Sequence, residues 1–465
     1  RGRAGGEVPG GQGLEADAAG SGSRLFGTWV VLLGLLIGLS LVKLGNPVVL
    51  GHLVPRPLVA GDWLRFAWPP GIFNWVPIVL LGVGVWGCRA GGMQWGSLWR
   101  EHRWLLLLAG LWLFWQALAV AGSIDRGMSG RVWWHYAGIV ACYGCGVVLA
   151  AGGRRWMGWF WVPLAVGFFW ALLEGFNQHY GGLEATRKFV YEQPGWESFP
   201  PEFLKRLERD RVFGTLFYAN AMAGVILLLL PGTLWFCSRV GFERLRVFRA
   251  VAVGLSAYAG LACLYWTGSK AGWLIAVVVL SVAFLHLPLG RRARVVLVVL
   301  GSVVALTAFG IRYREYFRGG ATSVVARFDY WAVAVSNVKS RPFLGSGPGT
   351  FEQVYRQGKK PEAEMSRLVH NDYLQQASDS GLPGGLLFAL WVGMAMLRGY
   401  RLAGGDLLRG LLWLGLLGWC LQEFVEFGLF IPGIGWPAMV LLGWVSTRQH
   451  SHRQPGVGSL VSPRR

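Results

Sequence analysis

A chain of 465 residues that is 54% hydrophobic and only 15% charged, with 26 tryptophans, is too apolar to be soluble and monomeric. It reads as a polytopic membrane protein. The net charge of +20 does not imply nucleic-acid binding, because much of it is a bias of Lys and Arg toward one side of the membrane.

The first 24 residues, Gly- and Ala-rich, read as a disordered cytoplasmic tail. No short apolar segment with a small-residue cleavage site precedes the first span, so that span is expected to be retained. About 20 mainly apolar residues make a spanning helix, and twelve candidates follow in order. They lie at roughly 25–44, 73–89, 104–122, 132–151, 156–176, 217–237, 250–267, 271–289, 294–311, 383–400, 407–428 and 431–447. The fold class expected is therefore an all-α polytopic membrane protein of about twelve transmembrane helices. N-terminal helices fill 25–177, a loop 178–216, central helices 217–311, a large loop with short helices 312–382, C-terminal helices 383–447, and a cytoplasmic tail 448–465. The pairs flanking 268–270 and 429–430 are linked so tightly that each could instead be one re-entrant hairpin.

Basic residues near span ends resist translocation and so set orientation. With the N-terminus cytoplasmic, every inside connection is basic: Arg89, Arg100, Arg103; Arg154, Arg155; Arg239 to Arg249; Arg291, Arg292, Arg294; Arg398, Arg401, Arg409; and Arg448, Arg453 in the tail. The short outside loops carry few cations, and the two long ones, 178–216 and 312–382, translocate regardless of charge. Both long loops are thus expected outside. All six cysteines fall in expected spans, which excludes disulfides in the outer loops. Cys142 and Cys145 form a C-x-x-C inside an apolar helix without partner ligands nearby, and small-residue packing accounts for them better than a metal.

The outer segments hold the polar chemistry. The first ends in "RDRVFGTLFYAN", with Arg211 at the membrane surface and Asn220 inside the next span. "YWTGSKAGWL" then sets Lys270 in a very short outer connection, where it either snorkels or meets an anionic lipid headgroup. In the large loop, Ala326 to Val338 can form a helix with Arg327 and Trp331 on one face. The turn-rich Pro342 to Phe351 follows, where Gly345, Gly347 and Gly349 permit close backbone approach. It lacks a preceding strand and is not a nucleotide fingerprint. Last comes "LVHNDYLQQASDSGLPGG", residues 368–385, in which His370, Tyr373, Leu374 and Ala377 fall on one helical face and Gly381 to Gly384 end that helix. A lone His is usually structural. At a membrane surface beside Asn371 and Asp372, in a loop rich in Arg and Gly, it becomes a candidate general base, since its unperturbed pKa of about 6.5 suits that work.

In order, Arg-x-x-Gly-Thr-x-x-x-x-Asn (211–220), Thr-Gly-Ser-Lys (267–270), Arg327 with Trp331, Pro-x-x-Gly-x-Gly-x-Gly-x-Phe (342–351), His-Asn-Asp-Tyr-Leu-Gln (370–375) and Gly-Leu-Pro-Gly (381–384) resemble the O-antigen ligase and polymerase superfamily. The resemblance covers about residues 205–390, and the first five spans share only its hydropathy. It implies a GT-C type membrane glycosyltransferase in the bacterial inner membrane, taking a glycan from undecaprenyl diphosphate on the periplasmic side. The acceptor it implies first is lipid A-core, then a second carrier-linked glycan, then a protein Ser or Thr. Two positions depart from the family. Lys270 stands where Arg is frequent, giving charge without a bidentate fork, and Asp379 stands where Glu is common.

On that resemblance, Arg211, Lys270 and Arg327 would neutralise the departing diphosphate. His370 would deprotonate the acceptor hydroxyl, with Asn371 or Asp372 orienting the ring or the sugar, and a single displacement would invert the anomeric carbon. No paired carboxylates mark a metal site in the outer loops, so neither a metal nor a cofactor is expected. The rival of another class is a transporter of lipid-linked sugar, for which ionisable residues deep in spans would speak. Glu423 and Glu426 are the strong candidates, and the bland alternative is an interfacial cluster at the outer end.

Overall fold

The computed structural model describes residues 11–90, 95–193, 195–198, 204, 207–239 and 246–449. Among them there is no strand, and nine helices are long and apolar enough to cross a membrane. Three shorter apolar helices, Lys270–Leu285, Leu407–Gln422 and Pro432–Val445, occupy the places of the eighth, eleventh and twelfth expected spans. The principal helices are α1 (Gly11–Lys43), α2 (Val76–Ala90), α3 (Trp95–Ala121), α4 (Arg126–Ala151), α5 (Arg155–Asn177), α6 (Ala219–Arg239), α7 (Arg246–Trp266), α8 (Lys270–Leu285) and α9 (Arg291–Arg312). After them come α10 (Thr322–Ser340), α11 (Phe351–Gly358), α12 (Asp372–Leu402), α13 (Leu407–Gln422) and α14 (Pro432–Val445).

Local chemistry starts several of these helices. Asp125, Ser269, Asn371 and Asp406 each accept a backbone N–H of the first turn, capping α4, α8, α12 and α13. Helix α1 begins at Gly11, inside the stretch expected as a disordered tail; residues 1–10 and 450–465 lie outside the described residues.

Every residue of α14 is buried, as a helix apolar on all sides must be. It lies against α4, and small residues let the two backbones meet. A Cβ on Gly146 would strike the Val440 carbonyl, and one on Gly443 the Tyr143 carbonyl. Around this pair, α1 packs on α5, α2 on α4, α3 on α12, and α6 on both α7 and α13. At the periphery, α9 has no buried residue and packs on α8. At each of the two tight connections the flanking helices pack on different neighbours. From the Thr267–Ser269 turn α7 turns to α6 while α8 turns to α9 and α13, and α14 leaves the 423–431 turn to insert against α4 and α1.

The two ends of the bundle differ in chemistry. At one, Arg398 meets Glu101 (2.5 Å) and the Ser446 carbonyl (2.6 Å), and Arg154 meets Asp406 (3.0 Å). These residues belong to connections expected inside. At the other end, residues of the large loop meet the 423–429 turn, and Arg211 of the first long loop reaches it through Asn220.

Candidate active site

Three pieces of chain converge at that end. Arg211, in the first long loop, donates from Nε to the Thr267 carbonyl (2.7 Å) and from Nη2 to Asn220 Oδ1 (2.7 Å). Asn220 Nδ2 then donates to Glu426 Oε1 (2.5 Å), which also receives Arg327 Nη2 (2.5 Å). The other oxygen, Glu426 Oε2, lies 3.3 Å from His370 Nδ1. Glu426 is therefore the hub that joins Arg211, through Asn220, to Arg327 and His370. It sits in the turn beyond the end of α13 and is buried. Burial alone would push its carboxyl up; the His370 hydrogen bond, the Arg327 charge and the Asn220 amide outweigh it and hold the group below the usual carboxylate range.

His370 does not lie on the helical face expected of it. The helix starts at Asp372, with Asn371 as its cap, and His370 precedes both in the left-handed region at φ 55°. That conformation is uncommon for a residue other than glycine and recurs at functional sites. It lays the ring against Tyr330 (centroids 5.5 Å) and edge-on to Phe427 (4.7 Å). The side chain is 26% exposed. A carboxylate on Nδ1 fixes the proton there and leaves the Nε2 lone pair for a substrate.

Of the other expected residues, Asn371 spends its side chain on the cap, accepting from the Leu374 N–H (3.0 Å). Asp372 is fully buried and accepts from the Leu429 N–H (2.7 Å). No hydrogen bond joins either to the imidazole, and the carboxylate beside the ring is that of Glu426. Arg327 has all three nitrogens engaged, with Val425, Ser323 and Glu426, so it offers charge rather than a free fork. Lys270 opens α8 with its ammonium over the Tyr316 ring (3.8 Å) and near Tyr313 (5.1 Å). It has no acidic partner among the described residues, and its charged neighbours are Arg211, Arg209, Arg327 and Arg312. Burial holds the Arg211 guanidinium below its usual range, which Glu426 opposes. A buried cation among cations is relieved by an incoming anion.

The glycine turn approaches the protein itself. Gly345, Gly347 and Gly349 have φ of 64°, 109° and 75°. Gly347 N–H donates to the Asp379 carbonyl (2.8 Å) and Gly349 N–H to Asp379 Oδ2 (2.8 Å). A Cβ on Gly345 would collide with the Asp379 backbone. Asp379, fully buried, thus anchors the turn, and α12 breaks just after it at Ser380 and Gly381, where the sequence places the helix end. Among the described residues no three His, Cys, Asp or Glu side chains are gathered as a metal set.

A buried carboxylate holds a partly exposed imidazole and an arginine at one end of a helical membrane bundle. Residues 255–389, under a third of the chain, match the family model described as O-Antigen ligase, so this stretch is similar to a superfamily whose members are glycosyltransferase-like ligases and polymerases. No curated protein matches it. Arg211, Asn220 and Glu426 lie outside the matched residues.

Proposed function

We propose that this protein is a metal-independent, inverting glycosyltransferase of the bacterial inner membrane, active on its periplasmic side. It moves a glycan from undecaprenyl diphosphate to lipid A-core. What supports the reading best is His370, tied through Nδ1 to Glu426, which also holds Arg327 and, through Asn220, Arg211. The acceptor hydroxyl gives its proton to His370 Nε2 as its oxygen bonds to the anomeric carbon. The bond from that carbon to the diphosphate oxygen breaks, and the electron pair leaves with the diphosphate. Glu426 stabilises the imidazolium. Lys270 and Arg211 meet the developing charge, while Arg327 adds to the field. In this reading the twelve apolar helices all cross the membrane, and membrane lipid surrounds α9.

A polymerase, with a second carrier-linked glycan as acceptor, or a protein O-oligosaccharyltransferase would use the same geometry. The transporter reading weakens because Glu426 is engaged with His370, Arg327 and Asn220 rather than placed along a path. The test is purified, reconstituted protein given carrier-linked glycan with lipid A-core, a second carrier-linked glycan, or a Ser/Thr peptide. Transfer to lipid A-core is expected. Transfer to another acceptor would move the assignment within the superfamily, and carrier translocation without transfer would replace it by the transporter.

A further inference from the structure

Glu423 and Asp372 stand apart from the chemistry just described, yet they frame it. Both are buried, at 1% and 0% exposure. Their carboxyl groups lie side by side, each capping the N–H of one of two consecutive residues, Gly428 and Leu429. Two bare carboxylates so placed in a dry site would repel, and a proton held between them relieves the repulsion. Among the described residues no cation pairs with either. One oxygen of each is committed to backbone: Glu423 Oε2 accepts from the Gly428 N–H (2.7 Å) and Asp372 Oδ2 from the Leu429 N–H (2.7 Å). Asp372 N–H donates to the Glu423 carbonyl (2.8 Å). Glu423 Oε1 and Asp372 Oδ1 are buried without a hydrogen-bond partner, which a proton between the two groups would supply.

These bonds pin the two ends of one turn. Its first residue is Glu423 and its last Leu429, whose carbonyl is held by His135 of α4 (2.7 Å). Glu426 lies between them. The other strand of the staple is Asp372, two residues after His370. The pair therefore fixes both halves of the His370–Glu426 contact relative to each other.

Resting on the glycosyltransferase reading, we infer that Asp372 and Glu423 share a single proton and act as a positioning pair that holds Glu426 against His370. The titratable groups facing the pair are Glu426 from the same turn, Asp379 and Tyr373 from α12, Cys420 from α13, and Tyr136 from α4, with His135 acting through Leu429. Loss of the shared proton puts two negative charges on the staple, beside the third on Glu426. The turn then opens and transfer falls on the alkaline side.

The test uses the full chain in detergent, with Glu423→Gln, Glu423→Ala and Asp372→Asn. In Glu423→Gln a permanent amide donor replaces the shared proton, so the variant should transfer near the wild-type rate at its optimum and lack the wild type's alkaline fall. Glu423→Ala should lose transfer at every pH, and Asp372→Asn should move the alkaline fall. Infrared difference spectra should show a protonated carboxyl C=O stretch in wild type that is missing in Glu423→Gln. An alkaline fall in Glu423→Gln matching the wild type's, as titration of Lys270 would produce, overturns the inference. So does a protonated-carboxyl band unchanged by the substitution. If no form transfers glycan, the proposed function fails while the infrared comparison still decides the pair.

Discussion

The same residue type does different work at the two ends of the bundle. At the inner-connection end, Arg409 is 4% exposed and gives both its bonds to carbonyls, Val445 and Thr447 (2.7 Å each). Arg398 likewise takes the Ser446 carbonyl and Glu101. These are cations at a helix C-terminus, where orphan carbonyls and the helix dipole want them. At the other end, Arg327 and, through Asn220, Arg211 share one ionised partner, Glu426, while the Lys270 ammonium rests on tyrosine rings with no acidic partner among the described residues. Cations satisfied by the protein hold a fold together. Cations left in excess hold a place for something negative.

That contrast breaks first at His370. His370→Ala should lower transfer by ~10² to 10⁴ with expression and membrane insertion intact; near-normal transfer by the purified variant would remove the base assignment. Glu426→Gln comes next. An amide can present the wrong partner to Nδ1, so ~10²-fold loss is expected. Because the Glu426 carboxyl is held below its unfolded value, its contribution to stability is fully present above the ordinary carboxylate pKa. It fades only as pH falls through the lowered folded value. Thermal melts against pH should therefore show a smaller acid loss in Glu426→Gln than in wild type.

Much of this end was legible in the sequence, and the reason is local. The glycines of 345–349 and the break at Gly381 are written within a few residues of their effects, because left-handed turns are set by neighbours, whereas Asn371 read as an orienting group and is the cap that leaves His370 outside the helix. The pairing of His370 with Glu426 joins residues that the chain separates by a whole broken helix and another after it. Nothing in spacing says which carboxylate reaches back. Glu423 and Glu426 stand out in an apolar stretch, which was the available signal, but it suggested an interfacial cluster or a transport path. Asp372 was legible as polar and next to His370; that alternate residues at a helix start face apart is what sent it to Leu429 instead.

The two ends then differ in what neutralisation does. Arg211→Gln or Lys270→Gln should weaken binding of carrier lipid more than of acceptor, by about tenfold for each 1.4 kcal/mol removed, and Lys270→Arg should be tolerated or better. Unchanged carrier affinity in both would return Lys270 to a snorkelling role. Arg409→Gln should instead destabilise the protein, by about 1.5–3 kcal/mol for lost charged hydrogen bonds, read as a lower melting temperature. Transfer per folded molecule should hold. A loss of carrier affinity in Arg409→Gln would erase the distinction between the ends.

The smallest effect expected is none at all, and it bears on the same excess of cations. A departing diphosphate needs positive charge close to it, and the transition state is indifferent to whether a divalent ion or a protein side chain supplies that charge. Lys270 sits among Arg211, Arg209, Arg327 and Arg312, while the carboxylates that would hold a hard cation are committed elsewhere. Asp379 binds the Gly349 N–H, Asp372 the Leu429 N–H, and Asp329 pairs with Lys360 (3.1 Å). Mg²⁺ prefers an octahedron of oxygens that these groups would have to abandon their partners to provide. Transfer by detergent-purified protein should therefore run at the same rate with and without excess EDTA. A loss restored by one particular divalent metal would mean that the cations bind carrier without carrying the chemistry, and would turn Asp329, Asp372 and Asp379 into ligands to be tested one by one.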